Sequence, residues 1–291
     1  MQIPLLPELR REDERRTGMN CELYNDNFQN YKVYGIPKAQ LVIADMPYQL
    51  GSNAYGSNPQ WYVDGDNKNG ESALAGKSFF RTEEIFKIPE FMHFCSKMLI
   101  KEPKQTNKAP AFIVFCAFQQ IPMLVEYAEK YGFAHYYPLV FIKNFSAQVL
   151  KANMKIVGAT EYALVFYRDK LPKFNGGGKM VFNWFEWKKD GKDVPSIHPT
   201  QKPISVLKRL IEIFTDEGDV VIDPVAGSAS TLRAAFELGR NAYGFEVDKG
   251  FYKAAKEKML VNMTQDLFTI QALADKDAER EERKRMYALD I

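Results

Sequence analysis

Two acidic residues, each at the end of an apolar run and followed by a tight turn, could do chemistry in this sequence. The first opens Asp45-Met46-Pro47-Tyr48, after the apolar stretch Gln40 to Ala44. An aspartate carboxylate and a neighbouring backbone carbonyl can both accept hydrogens from an exocyclic amine, and a tyrosine can stack on the ring that bears it. Taken alone, the same residues also fit a polar strand end with a proline turn. The second opens Asp223-Pro224-Val225-Ala226-Gly227-Ser228-Ala229-Ser230, with Glu246-Val247 beginning 23 positions beyond Asp223. A turn of small residues lets a ligand approach the backbone, and the amides of a following helix can meet an anionic group. Glu246 stands where an acid commonly binds ribose hydroxyls in nucleoside-binding α/β folds. The turn has neither the GxGxxG spacing of dinucleotide folds nor the GK[ST] of a phosphate-binding loop, so its pairing with Glu246 favours an adenosyl-type cofactor. A third stretch, His198-Pro-Thr-Gln-Lys-Pro203, is by itself a turn feeding a proline-started helix. No metal site is expected. His198 has no partner at ligand spacing, and His93 and His135 are isolated.

The elements that must position these residues follow from the apolar pattern. Gln40 to Ala44, Ala111 to Phe118, Phe133 to Lys143, Glu161 to Arg168, Asp219 to Ile222 and Asn241 to Glu246 read as strands. Phe79 to Ile100, Met123 to Tyr131, Pro203 to Phe214, Ser230 to Leu238 and Asp248 to Val261 read as helices. Gly51 to Gly76, rich in turn formers, reads as a long loop. Strands alternating with helices predict an α/β fold, a mainly parallel sheet covered on both faces. Ligands bind such sheets beyond the strands' carboxyl ends.

Composition narrows the classes further. The chain has 291 residues, 46% of them hydrophobic and 26% charged, the balance of a folded globular protein. Its longest apolar run, Ala111 to Phe118, falls far short of the ~20 residues that span a bilayer, so no membrane partner is expected. Glu8 and Arg10 interrupt any signal-peptide core, so export is not expected either. Cys21, Cys95 and Cys116 form no CxxC pair, which argues against disulfides and zinc and fits a reducing cytoplasm. The formal net charge is only +2, yet it is unevenly spread. Residues 143–209 hold thirteen Lys or Arg against five acids, a net +8 on an acidic remainder. That asymmetry is the footprint of a polyanion groove, with a solvated lysine-rich surface as the competing reading.

Together the motifs resemble a family. Asp45-Met-Pro-Tyr48 looks like the Asp-Pro-Pro-Tyr motif of S-adenosylmethionine-dependent DNA amino-methyltransferases, and His198 to Pro203 matches their motif preceding the cofactor loop. Asp223 to Ser230 is similar to their Asp-Pro-Phe-x-Gly-Ser-Gly-Thr loop. Asn25-Asp26-Asn27-Phe28 resembles their short Gly-Asp element, and Glu161 to Tyr167 their Glu-x-x-Leu-x-Phe strand. The order, catalytic motif first and cofactor motif late, is that of the beta class. The likeness spans about residues 22–260. Met46 replaces the first proline, Val225 the phenylalanine and Ala229 the second glycine of the family's pattern.

The resemblance implies a Rossmann-like methyltransferase fold with a seven-stranded sheet, and methyl transfer from S-adenosylmethionine to N6 of adenine in DNA after base flipping. Cytosine-N4 transfer, RNA adenine-N6 transfer and a non-catalytic DNA-binding relative are the alternatives. Asp45, Met46, Pro47 and Tyr48 would form the catalytic motif. Asp223, Pro224, Ala226, Gly227 and Ser228 would hold the cofactor, with Glu246 and Val247 at its ribose, Asp26 near its adenine, and Thr200 and Lys202 at its methionine end. Lys143, Lys151, Lys179, Lys188 and Lys189 would meet phosphates, with Trp184 and Trp187 available for stacking, and plain strand or core packing as the competing reading of both tryptophans. The implied domain covers 21–262, with a catalytic half 21–168, a small basic recognition insert 169–197 and a cofactor half 198–262. Charged segments 1–20 and 263–291 flank it. So small an insert implies a short or loose recognition site, with a homodimer as a source of further contacts.

Overall fold

The computed structural model describes residues 19–47, 86–144, 148–151, 156–198 and 200–261. Among these, ten strands occur: β1 (Cys21–Tyr24), β2 (Leu41–Asp45), β3 (Ala111–Cys116), β4 (His135–Lys143), β5 (Gln148–Lys151), β6 (Ile156–Gly158), β7 (Thr160–Tyr167), β8 (Trp184–Trp187), β9 (Val220–Asp223) and β10 (Asn241–Phe245). The helices are α1 (Ile88–Met98), α2 (Ile121–Lys130), α3 (Ile204–Phe214), α4 (Ser230–Glu237) and α5 (Lys249–Ala254). A 3-10 segment, Phe28–Tyr34, follows β1, and a π-helical turn, Ala255–Met259, continues α5.

The runs that look uniformly apolar in sequence are strands buried on both faces. Side chains alternate across a sheet with period two, so two covered faces demand an unbroken apolar run. Leu41 and Ile43 of β2, with Ala111, Ile113 and Phe115 of β3, face one cluster, packed by Leu207, Leu210, Ile211 and Phe214 of α3 and Leu232 and Phe236 of α4. Val42, Ala44, Phe112, Val114 and Cys116 face the other, packed by Phe28, by Phe91 and Phe94 of α1, and by Leu124 of α2.

Eight strands form one sheet in the order β1-β10-β9-β2-β3-β7-β4-β8, and β5 and β6 pair separately. Only β7 runs antiparallel to its neighbours β3 and β4. The chain leaves β2 through α1 to β3 on one side, and leaves β9 through α4 to β10 on the other. Adjacent strands β2 and β9 therefore flank the point where the connections reverse, the position beyond the carboxyl ends at which open α/β sheets bind ligands in a crevice.

The expected mainly parallel, doubly covered sheet is present, with eight strands instead of seven. The eighth is β8, from the segment expected to be an insert; it pairs in parallel with β4 at Val140↔Trp184 through Lys143↔Trp187. Its four residues are too few to announce a strand, and their aromatic character also fits a surface cluster. Strand β1 is equally short and owes its place to parallel pairing with β10. Pro203 caps α3 and does not belong to its first turn. The expected loop 51–76, residues 1–18, the first part of the Phe79 helix and the tail 263–291 lie outside the described residues.

The β9–α4 turn is tight. A Cβ on Gly244 would sit 2.7 Å from Leu232 Cδ1, 3.1 Å from Ala226 Cβ and 3.2 Å from the Asp223 carbonyl, so glycine in β10 lets the turn and α4 close onto the sheet. Ala229 caps α4 at φ 61°, a left-handed conformation that costs a residue with a Cβ about 1 kcal/mol. Replacing Ala229 by glycine removes that strain but adds freedom to the unfolded chain. The expected net gain is up to about 1 kcal/mol, seen as a higher urea midpoint with an unchanged slope.

Candidate active site

Four charged side chains meet on the α3 face of the sheet at the carboxyl end of β2. Asp45 follows Leu41 and Ile43 in alternation, which turns its carboxylate to that face. Lys202, in the segment entering α3, places Nζ 2.5 Å from Asp45 Oδ2 and 3.4 Å from Glu161 Oε2. Glu161 lies near the start of β7, and because β7 is antiparallel, its start stands beside the other strands' ends. Its Oε1 is paired with Lys143 at the end of β4. The result is a ladder of alternating charges, Asp45–Lys202–Glu161–Lys143. Lys202 and Glu161 are buried at 6% and 9% exposure. Burial works against each charge, yet Asp45 and Glu161 hold the Lys202 ammonium above the ordinary lysine range. Burial would likewise raise Glu161, but Lys202 and Lys143 keep it below the usual carboxylate value. Lys202 Nζ also lies 5.3 Å from the Phe115 ring and 5.6 Å from that of Trp187, which Lys143 Nζ approaches to 4.7 Å.

Across the crevice stands the turn after β9. Asp223 is buried (3% exposed), and desolvation pushes its carboxyl up to about 7 although the Thr231 hydroxyl and the Val225 amide donate to it. Pro224 is buried beside it, and the Ala226 amide bonds the Phe245 carbonyl at 2.8 Å, tying the turn to β10. Glu246, just past β10, accepts from the amides of Gly227 (2.8 Å) and Asp248 (2.7 Å), and burial raises it to about 7. Ser228 and Ser230 hydroxyls bond each other at 2.8 Å, and Val247 is 44% exposed at the rim. The Asn25 amide donates to the Glu246 carbonyl at 2.8 Å. Next to Asn25, Asp26 organises its own loop by accepting from Asn30 (2.8 Å) and the Tyr34 hydroxyl (2.6 Å).

His198 closes this turn from above. Its ring packs tilted against Phe251, centroids 4.6 Å apart, and lies 3.9 Å from where a Gly227 Cβ would be. Burial first, then Lys202, lowers its pKa to about 4, so the imidazole is neutral near pH 7. Its Nδ1 is 3.0 Å from the exposed Thr200 hydroxyl.

Three expected roles need correction. Lys202, expected at a ligand's methionine end, gives its ammonium to Asp45 and Glu161, because so deeply buried a cation requires anionic partners. Lys143, expected on phosphates, has a side chain only 8% exposed and is committed to Glu161. Trp187, expected to stack on bases, is 4% exposed and packs edge-on against Phe141. Other bases of the +8 segment are also paired inward, Lys173 with Asp216 and Asp219 and Lys208 with Glu237. What stays exposed is a smaller patch: Lys179, Lys188 and Lys189, with Trp184 (48% exposed) stacked on Phe182 (75%). Tyr48 and the side chain of Lys151 lie outside the described residues.

Other residues join the site without having been assigned to it from sequence. Gln120 donates to the Pro47 carbonyl at 3.2 Å while accepting from the Ala117 amide. Its signal was the second of two glutamines, Gln119-Gln120, after a strand, indistinguishable from a polar cap. Glu161 was visible only as the first letter of a strand motif. Met46 is 1% exposed, so its side chain is core and only its backbone can serve the crevice. Burial raises the thiols of Cys21 and Cys116 to about 12 and Cys95 well above the usual range, which leaves no ready thiolate nucleophile among them. Among the described residues, no group of three or more His, Cys, Asp or Glu could hold a metal ion, and no helix is long and apolar enough to cross a membrane.

An aimed carboxylate facing a small-residue turn and a second acid is thus the arrangement in hand: acceptors for an amine beside a cradle for a nucleoside-bearing ligand. The family model described as DNA methylase, for N6 and N4 methyltransferases, matches residues 39–257. The DNA adenine methyltransferase YhdJ of Escherichia coli (strain K12) is 23% identical over 257 residues, 81% of each chain. Of three other curated methylase relatives the matched stretch spans 63%, 56% and 20% of the length. The solved cytosine-N4-specific PvuII DNA methyltransferase superposes with a TM-score of 0.60 at 14% identity, covering 90% of this chain and 93% of that one. The M1.HpyAVI–SAM complex superposes at 0.56 and 19% identity, covering 81% and 97%; both likenesses establish the fold. With a family match from β2 into α5 that takes in the acid at the end of β2 and the turn after β9, the chain belongs to the DNA methylase family of N6/N4 amino-methyltransferases.

Proposed function

We propose that this protein transfers the methyl group of S-adenosylmethionine to N6 of adenine in DNA. The observation that carries the reading is the Asp45 carboxylate, held by Lys202 at 2.5 Å, at the crevice it shares with the Asp223–Glu246 turn. Adenine is preferred to cytosine because the motif opens with Asp where cytosine-N4 enzymes more often have Ser, and because YhdJ, similar over 81% of its length, is a DNA adenine methyltransferase.

The cofactor fits the donors and acceptors present. Glu246 offers a buried carboxylate to a ribose diol, the Gly227 turn leaves room for close backbone approach, and neutral His198 over Phe251 walls the cradle without adding charge. When bound, S-adenosylmethionine supplies a methyl group on a positively charged sulfur, electrophilic enough to need no acid catalyst. The chain's own work is to make the amino nitrogen a nucleophile. Asp45 and the Met46 carbonyl accept its two hydrogens, drawing the nitrogen towards pyramidal geometry and stabilising the positive charge that develops there; Asp45 would take the proton that the methylated nitrogen sheds, the cofactor departing as the neutral thioether. Burial of the Met46 side chain fixes that carbonyl, and Gln120 fixes the next one by bonding Pro47. An adenine inside a duplex is out of reach, so the base must leave the stack, with Tyr48 as its stacking partner. Lys179, Lys188, Lys189 and Trp184 form the recognition surface, where exposed cations meet phosphates and the Phe182–Trp184 pair offers a stacking platform.

Two outcomes follow. With methyl-labelled cofactor and mixed-sequence DNA, nucleoside mass spectrometry finds N6-methyladenine, and Asp45→Ala lowers the rate at least about 100-fold, the usual scale for losing a transition-state acceptor. Label found in N4-methylcytosine, or only in RNA, contradicts the proposal. The second concerns pH. Ribose hydroxyls donate to ionised Glu246, which titrates at about 7, so only about a tenth is ionised at pH 6. Cofactor affinity therefore rises roughly tenfold from pH 6 to pH 8 by calorimetry. Glu246→Gln binds more weakly and loses that part of the pH dependence; an identical profile in the variant contradicts the role.

A further inference from the structure

Glu161 has an unused acceptor. Its Oε1 is taken by Lys143, whereas Oε2 is buried and accepts no hydrogen bond among the described residues. Lys202 Nζ lies 3.4 Å from Oε2, beyond good hydrogen-bond length, and has closed to 2.5 Å on Asp45. A buried carboxylate oxygen left without a bond is costly, and a short move of one ammonium would satisfy it.

That move has a chemical reason, which rests on the methyl-transfer reading above. An ammonium on Asp45 occupies the carboxylate that a target amino group needs. It also repels the positive charge that grows on that nitrogen as it takes the methyl group. We propose that Lys202 is a placeholder for the target amino group in the substrate-free protein, and that Glu161 is the positioning residue onto which it swings when the base arrives. The handover keeps the ladder neutral, with two cations and two anions before and after. It also keeps the ammonium among the same aromatic faces, since Trp187 lies between Lys202 at 5.6 Å and Lys143 at 4.7 Å, and Phe115 lies 5.3 Å from Lys202. No proton need be transferred. In the ground state the lysine preserves the geometry of Asp45, and in the loaded state Asp45 no longer shares its charge with Lys202.

The test is a double-mutant cycle read by single-turnover methylation of DNA at saturating cofactor. Glu161→Gln leaves Lys202 without its second anion and traps it on Asp45, so the rate falls 10-fold or more, while affinity for S-adenosylmethionine stays within about twofold. Adding Lys202→Met removes the trapped cation, and the double variant is faster than Glu161→Gln alone. A purely structural role predicts the reverse order, because two core losses compound. Thermal unfolding and cofactor affinity, measured on each variant, separate loss of fold from loss of handover. A methylating wild type whose Glu161→Gln variant keeps its rate, or whose double variant is no faster than the single, overturns the handover alone. A wild type that transfers no methyl group to DNA overturns the methylation reading, and the handover with it.

Discussion

The site depends on burying an ammonium. Lys202 is carried into the sheet's edge by the segment before α3, and at 6% exposure it is stable only beside anions. That requirement draws Asp45 and Glu161 together from strands of opposite direction. Lys143 is then needed to balance Glu161, and Trp187 and Phe115 exclude water from the group. The antiparallel entry of β7 is what makes the arrangement possible, since a parallel strand would place its first residues at the far end of the sheet. Aiming a carboxylate this way uses several buried residues, and it explains why Lys143 and Lys202 are paired inside the protein and not on its surface.

The second half of the crevice works by the opposite means. Asp223 and Glu246 are buried and accept from backbone amides, no cation is hydrogen-bonded to them among the described residues, and both are raised to about 7. Such carboxyls accept hydroxyl donors readily and are sensitive to what fills the space above them. One acid held by a salt bridge in the substrate-free protein and two acids poised near neutrality give the crevice two unlike sides. The reversal of connections between β2 and β9 brings the two sides together.

Much of this was legible in the sequence, and the reason is physical. Strands covered on both faces must be continuous apolar runs, so β2 and β3 announce themselves, and the chemistry falls where those runs stop at Asp45, Asp223 and Glu246. The family's likeness supplied the cofactor and the reaction. What one-dimensional reading missed was pairing at a distance. Lys143 and Lys202 look like surface groups because lysines usually are, and nothing near them in the chain reveals that Glu161 and Asp45 neutralise them; for Trp187, core packing and base stacking stay undivided until the fold sets it against Phe141. Strand β8 is four residues long and owes its place to β4, so local pattern left its tryptophans between strand packing and surface stacking and did not fix its bounds. Gln120 is tied to Pro47 by a contact 73 positions away, with no local signature at all.

The account turns on Asp45 being the acceptor of the target amino group. A structure of the protein with target DNA and an unreactive cofactor analogue tests this most directly, through two distances. The account predicts the extruded base's amino nitrogen about 3 Å from Asp45, and Lys202 Nζ drawn to hydrogen-bond length of Glu161 Oε2. An amino nitrogen bonded elsewhere, with Lys202 still closed on Asp45, would contradict it.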